Sequence, residues 1–177
     1  MPGILVVEDD ENLNRGITFS LKKSGYEVFS AESVKKAKRI ATVNDAEQLN
    51  ILNNEFNGEG ASIDNIGNSL VSNKQEVVIV ADEDDILVGF VCVQLKKSFC
   101  YDEYMPEITE VYVKPTYRNR GIASEMIIFA ENYCSKNYPL DQYELLTGQE
   151  NLVAQSVYNK LGYVDDNELH LSKRVKR

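Results

Sequence analysis

Residues 111–126, VYVKPTYRNRGIASEM, constrain the chain more than any other stretch. Val111, Tyr112 and Val113 form a β-prone run, Pro115 marks a turn, and Ile122, Met126, Ile127 and Ala130 then repeat at the spacing of a buried helix stripe. This order of strand, turn and helix sets Arg118, Asn119, Arg120 and Gly121 at a helix start. The first N–H groups of a helix lack an acceptor within it, and the helix dipole adds partial positive charge there. Such a turn can wrap a pyrophosphate, with Gly121 letting the main chain approach and Arg118 and Arg120 adding charge-assisted hydrogen bonds. R-x-x-G-x-A also occurs as a plain helix cap, so the flanking elements decide.

Those elements read as an α/β domain. A strand is expected over Arg39–Val43, then a helix capped by Asp45 with Leu49, Leu52 and Phe56 on its apolar side and Gly58 as its stop. A second helix follows from Ser62 through Ile63, Ile66 and Leu70. Glu76–Ala81 and Ile86–Leu95 flank the acidic turn Asp82–Asp85 as an antiparallel hairpin, which Glu107–Val113 extends. After the helix at Ile122 come a strand at Tyr143–Leu146, a helix from Asn151 to Leu161 stopped by Gly162, and a final strand pair from Tyr163. The implied fold is a mixed, mostly antiparallel central sheet with helices on both faces. Ahead of it, Ile4–Val7, a helix carrying Leu13, Ile17 and Leu21, and Tyr26–Ala31 make an N-terminal β-α-β fragment.

Charge and cysteine usage narrow the partners. A net charge of −9 opposes binding to a phosphate backbone, which needs a basic surface, and favours a cationic partner, so no nucleic acid is expected. With no long uncharged apolar run, no membrane association is expected either. Three cysteines, Cys92, Cys100 and Cys134, without CxxC spacing read as reduced thiols in a cytoplasmic protein and indicate no metal site. Cys134 lies on the helix stripe and reads as packing, and His170, the sole histidine, reads as structural.

With these motifs in place, the chain over residues 38–175 resembles the GNAT superfamily of acyl-CoA-dependent N-acyltransferases, whose signature is a V-x-V strand followed by Q/R-x-x-G-x-G/A opening a helix. A second match, NLVAQSVYNKLGY, aligns Asn151, Ala154, Tyr158 and Gly162-Tyr163 with the family's later helix. Ala123 stands where many members carry glycine, an exchange the pattern allows. The resemblance implies acetyl-CoA as acetyl donor, held by Val111, Tyr112, Val113, Arg118, Asn119, Arg120, Gly121, Ile122, Ala123, Ser124 and Asn151. It implies a Val113 N–H that polarises the thioester carbonyl, Glu107 as general base, directly or through a water, and Tyr158 as the acid that protonates the departing thiolate. Glu110, Asp102 and Tyr104 are expected at the acceptor, where acidic and aromatic residues in SFCYDEYMPEITE suit a cationic amine.

The expected activity is direct acetyl transfer in a ternary complex to a primary amine of a polyamine or aminoglycoside-like molecule. A protein N-terminal or lysine acetyltransferase is the rival enzyme, and a CoA-binding signalling or scaffold fusion the rival from another class. The last arises because residues 1–33 resemble the opening of a response-regulator receiver, with Glu8 and Asp9 in the places that hold magnesium. The resemblance stops there: LNILNNEFNG offers no phosphate-accepting Asp, so Glu8, Asp9 and Asp10 are expected to be solvated. The organisation is thus a fragment at 1–33, a linker at 34–37 and the transferase at 38–177. Two strands alone bury little, so the fragment is expected to lean on the transferase or to pair with a second copy in a homodimer.

Overall fold

The computed structural model of the protein describes residues 3–7, 11–31 and 36–175. The acidic loop Glu8–Asp10 and residues 34 and 35 of the expected linker lie outside the described residues. Two units divide the chain, 1–145 and 146–177.

In the first unit, β1 (Gly3–Val7) and β2 (Glu27–Ala31) pair in parallel as a two-stranded sheet, joined by α1 (Glu11–Lys23). The spacing of Leu13, Ile17 and Leu21 suggested one buried stripe, yet Leu13 is exposed and Asn14, one position on, is buried. The Thr18 hydroxyl donates to the Asn14 side-chain oxygen at 3.3 Å, which offsets the cost of burying the amide.

A separate five-stranded sheet runs in the order β3 (Lys36–Ile40), β4 (Glu76–Glu83), β5 (Ile86–Lys96), β6 (Met105–Val113), β7 (Glu144–Leu145). All neighbours are antiparallel except β6 and β7. β5 holds the middle because Leu87, Val88, Val91 and Val93 are apolar on both faces and almost fully buried. On one face, Leu49 and Leu52 of α2 (Ala46–Asn57) meet Val80, Leu87, Phe90 and Tyr112, with Ile66 and Leu70 of α3 (Ile63–Ser72) beside them. On the other lies α4 (Ile122–Asn137), whose Met126, Ile127, Ala130 and Cys134 are at most 1% exposed. Each large member of that stripe contributes about 1.5–3 kcal/mol by leaving water. Burial also raises the Cys134 thiol to about 11, so it is inert packing.

Two local expectations are corrected. The first strand of this sheet spans Lys36–Ile40, because its ladder with β4 ends at Ile40–Ile79 and a single 3-10 turn, Val43–Asp45, follows. Asp45 does stand at the start of α2, but its carboxylate makes no cap bond. It turns back instead to Arg39 Nη1 and Nη2, both at 2.8 Å, and to the Thr42 N–H at 2.7 Å. The bond from Thr42 belongs to a capping box at the 3-10 turn, and the two bonds from Arg39 are charge-assisted.

The second unit carries α5 (Leu152–Leu161) between two local stops. Asn151 caps its start by accepting from the Ala154 N–H, and Gly162 ends it at φ +97°. No described residue from 163 to 175 is in a strand, contrary to the expected strand pair. Val164, Leu169, Leu171 and Val175 are all more than 80% exposed there. Alternating apolar residues supply one face of a strand, but a strand also requires a ladder partner, and none is present among the described residues. Among the described residues no helix is long and apolar enough to cross a membrane.

Candidate active site

The open side of β6 organises the site. Tyr112 pairs with Phe90, and the Lys114 N–H donates to Val88 O at 2.9 Å, so these residues turn their peptide groups toward β5. Strand alternation therefore points the peptide groups of Val111 and Val113 the opposite way. On that side β7 pairs only with Glu107 and Ile108. From Thr109 to Val113 the edge has no ladder partner among the described residues. An extended chain laid there would find donors and acceptors already aimed at it.

Beyond β6 the chain makes a 3-10 turn at Pro115–Tyr117 and reaches α4 through Asn119 at φ +61° and Gly121 at φ +76°. Two left-handed residues within three fold the backbone so that α4 starts without a side-chain cap. The N–H groups of Ile122, Ala123 and Ser124 are thus left for a ligand. Gly121 has open space where a Cβ would stand, its nearest neighbour being Glu125 Oε1 at 3.9 Å. That carboxylate is paired with Lys38, which reduces its repulsion of an anion.

The two arginines are placed differently from a simple pair of clamps. Arg118 Nε donates to Val113 O at 3.0 Å, and its guanidinium lies 5.9 Å from the Tyr112 ring centre. It secures the end of β6 and retains its other nitrogens. Arg120 donates to Thr116 O, stacks 5.0 Å over Tyr117, and has Glu83 3.9 Å away.

A β-bulge at Cys92/Val93 sets the carboxylates. Glu107 lies opposite Gln94 and Glu110 opposite Cys92, so the extra residue on β6 brings both to the face covered by α2 and α3. Glu107 is bound to Lys96 Nζ at 2.8 Å, with Glu144 on the same ammonium at 3.3 Å. The Lys96 pKa is raised, first by its hydrogen bond to Glu107. Glu110 accepts from the Thr109 hydroxyl and from the Cys92 thiol. Burial, then the charges of Glu76 and Glu110, push the Cys92 thiol well above the usual range.

Asp102 and Tyr104 are not brought to this place. They stand at the other end of β6, about 30 Å from Val113 by strand rise. There Lys97 donates to Asp102 O at 2.7 Å and lies 4.7 Å over the Tyr104 ring, which packs on Tyr138. Sequence reading missed Glu76, which lines a cavity with Cys92. The only signal for it is an acidic residue at the head of the apolar run Val77–Ala81.

Within the second unit, Asn151 is the helix cap described above. Tyr158 is half-buried, 6.2 Å ring to ring from Tyr163, and burial raises its pKa. Its hydroxyl therefore keeps its proton throughout the neutral range.

An open strand edge that runs into an uncapped helix start is the design of a protein that grips an extended, phosphate-bearing ligand through its backbone. The chain belongs to the acetyltransferase (GNAT) family, whose model matches residues 45–163. Its class of activity is acetyl-CoA-dependent N-acetyltransfer. No curated protein matches the sequence. Among solved structures it is similar to a possible acetyltransferase from Clostridium difficile 630, with 20% identity, 81% of this chain and 99% of that one covered, and a TM-score of 0.65. It is similar to an aminoglycoside N-acetyltransferase in complex with CoA, with 17% identity, coverage of 78% and 94%, and a TM-score of 0.69. It is also similar to a ribosomal-protein-alanine N-acetyltransferase from Brucella melitensis biovar Abortus 2308, with 16% identity, coverage of 78% and 99%, and a TM-score of 0.66. At these identities the likenesses show the fold. The receiver resemblance of residues 1–33 gains nothing from them, since the family match begins at residue 45.

Proposed function

We propose that this protein transfers the acetyl group of acetyl-CoA to a primary amine of a cationic small molecule by direct attack. The observation that carries the reading is the edge of Val111 and Val113, without a ladder partner among the described residues, leading into the uncapped start of α4, with Glu107 and Glu110 on the same strand. Acetyl-CoA supplies the acetyl group as a thioester. The Val113 N–H is the donor for the carbonyl oxygen, and Ile122, Ala123 and Ser124 offer their N–H groups to the diphosphate.

An alkylammonium has a pKa near ~10, so the acceptor must lose a proton before it attacks. Glu107 is the proposed base, directly or through a water, and Lys96 Nζ, 2.8 Å away, fixes the position of its carboxylate. Glu110, on the same face, draws the ammonium in. Asn151 and Tyr158 keep their roles from the second motif, Asn151 toward the coenzyme and Tyr158 as proton donor to the departing thiolate. The Tyr158 hydroxyl carries its proton in the neutral range, as a donor must.

A thiol-release assay with acetyl-CoA against polyamines, aminoglycosides and basic peptides tests the reading. Release with a cationic small amine is expected; acetylation of peptides alone would move the assignment to protein N-termini or lysines. Tyr158→Phe is expected to lower kcat by about 10²-fold while acetyl-CoA binding holds. Unchanged turnover across pH would remove Tyr158 from the chemistry.

A further inference from the structure

Between α2, α3 and the β4–β5 hairpin lies a cavity of about 220 Å³. Leu49, Ile66, Leu70, Val78 and Phe90 make its walls mainly apolar, and Glu76 and Cys92 are its ionisable members. Glu76 is half-buried and accepts from Gln94 Nε2 at 3.0 Å and Asn73 Nδ2 at 3.3 Å. No lysine or arginine among the described residues forms an ion pair with it. Burial, and then the charge of Glu110, raise its pKa above the usual carboxylate range. Two amide bonds without a cation leave this carboxylate incompletely compensated, and an ammonium group would complete it.

The ladder sets the reach. Val113 lies opposite Gly89 and Glu76 opposite Gln94, with Glu110 opposite Cys92 on the way. Five residues along β5 and two strands across amount to roughly 20 Å between the Cα atoms of Val113 and Glu76. A compact acceptor cannot place one amine at Val113 and another charge at Glu76, whereas a long flexible one can.

We propose that this cavity receives the distal ammonium of the acceptor, and that Glu76 thereby selects long alkyl polyamines, whose methylenes lie against Leu70, Val78 and Phe90, over compact hydroxyl-rich aminoglycosides. This rests on the acetyltransferase reading and names its acceptor. Glu110 serves the middle of the chain and Glu76 its far end.

Steady-state thiol release with butylamine, putrescine, spermidine, spermine and an aminoglycoside is the test, on the full chain and on Glu76→Gln. The wild type is expected to show kcat/KM rising along the amine series to spermine. Glu76→Gln is expected to raise KM for spermine about tenfold, with kcat and the butylamine parameters unchanged. Ala61→Phe, which narrows the cavity from its exposed rim, should act in the same direction. Equal losses for all amines, or a wild type that prefers the aminoglycoside, would overturn the proposal. Should no amine release thiol, the acetyltransfer reading fails while the cavity is still tested, by calorimetry of spermine binding. Weaker binding to Glu76→Gln then supports the cavity site, and equal binding overturns it.

Discussion

A Cβ on Gly89 would stand 2.6 Å from the carbonyl oxygen of Tyr112, closer than real Cβ contacts come. That oxygen belongs to the strand on which the site is built, so β5 and β6 would have to separate. Gly89→Ala is expected to destabilise the protein by about 2 kcal/mol, read as a lower urea midpoint. Gly121 differs because its neighbourhood is open and its constraint is φ +76°. Gly121→Ala should cost about 1 kcal/mol in backbone energy and should weaken CoA binding in calorimetry, since the α4 amides would be re-aimed. Unaltered CoA affinity would separate this turn from coenzyme binding. The two glycines are alike in sequence, and only their surroundings tell a close approach from a left-handed turn.

Between elements, Asp45 ties β3 to the start of α2. It is 4% exposed, and its hydrogen bond to Arg39 is the chief cause of its lowered pKa. A carboxylate with a depressed folded pKa stabilises the protein above its unfolded pKa, near ~4, and that contribution disappears as pH falls through the folded value. Asp45→Asn should therefore cost about 2 kcal/mol at neutral pH, less than for a fully buried pair because Arg39 is partly exposed. Urea titrations at neutral and acid pH check the sign: the gap between variant and wild type should narrow on acidification. The β6 bulge belongs to this scale too. Without it, Glu107 and Glu110, three residues apart, would lie on opposite faces of the sheet.

Over the whole molecule, a net charge of −9 attracts cations of any kind and is screened by salt. kcat/KM for a polyamine is expected to fall severalfold between low and physiological ionic strength, while that for butylamine changes less. The two-stranded sheet of β1 and β2 is separate from the five-stranded one. Removal of residues 1–33 is therefore expected to leave the main thermal transition within a few degrees; a large drop would show that the fragment supports the transferase.

The sequence by itself determined what is local. The 76–95 hairpin, the turn into α4, the helix starts at Ser62 and Asn151 and the Gly162 stop are each decided by a few neighbouring residues, and the structure has them in place. Apolar spacing likewise marked Met126, Ile127 and Ala130 as core. The tertiary structure alone decided what depends on register between strands: the bulge that joins Glu107 to Glu110, the capture of Glu107 by Lys96, and the meeting of Glu76, Cys92 and Glu110 from three strands. It also decided that Arg118 turns back to Val113 and that residues 163–175 form no strand. A local pattern states which conformation a segment prefers, but a partner from far along the chain must supply the ladder bond or counter-charge, and only folding brings it there.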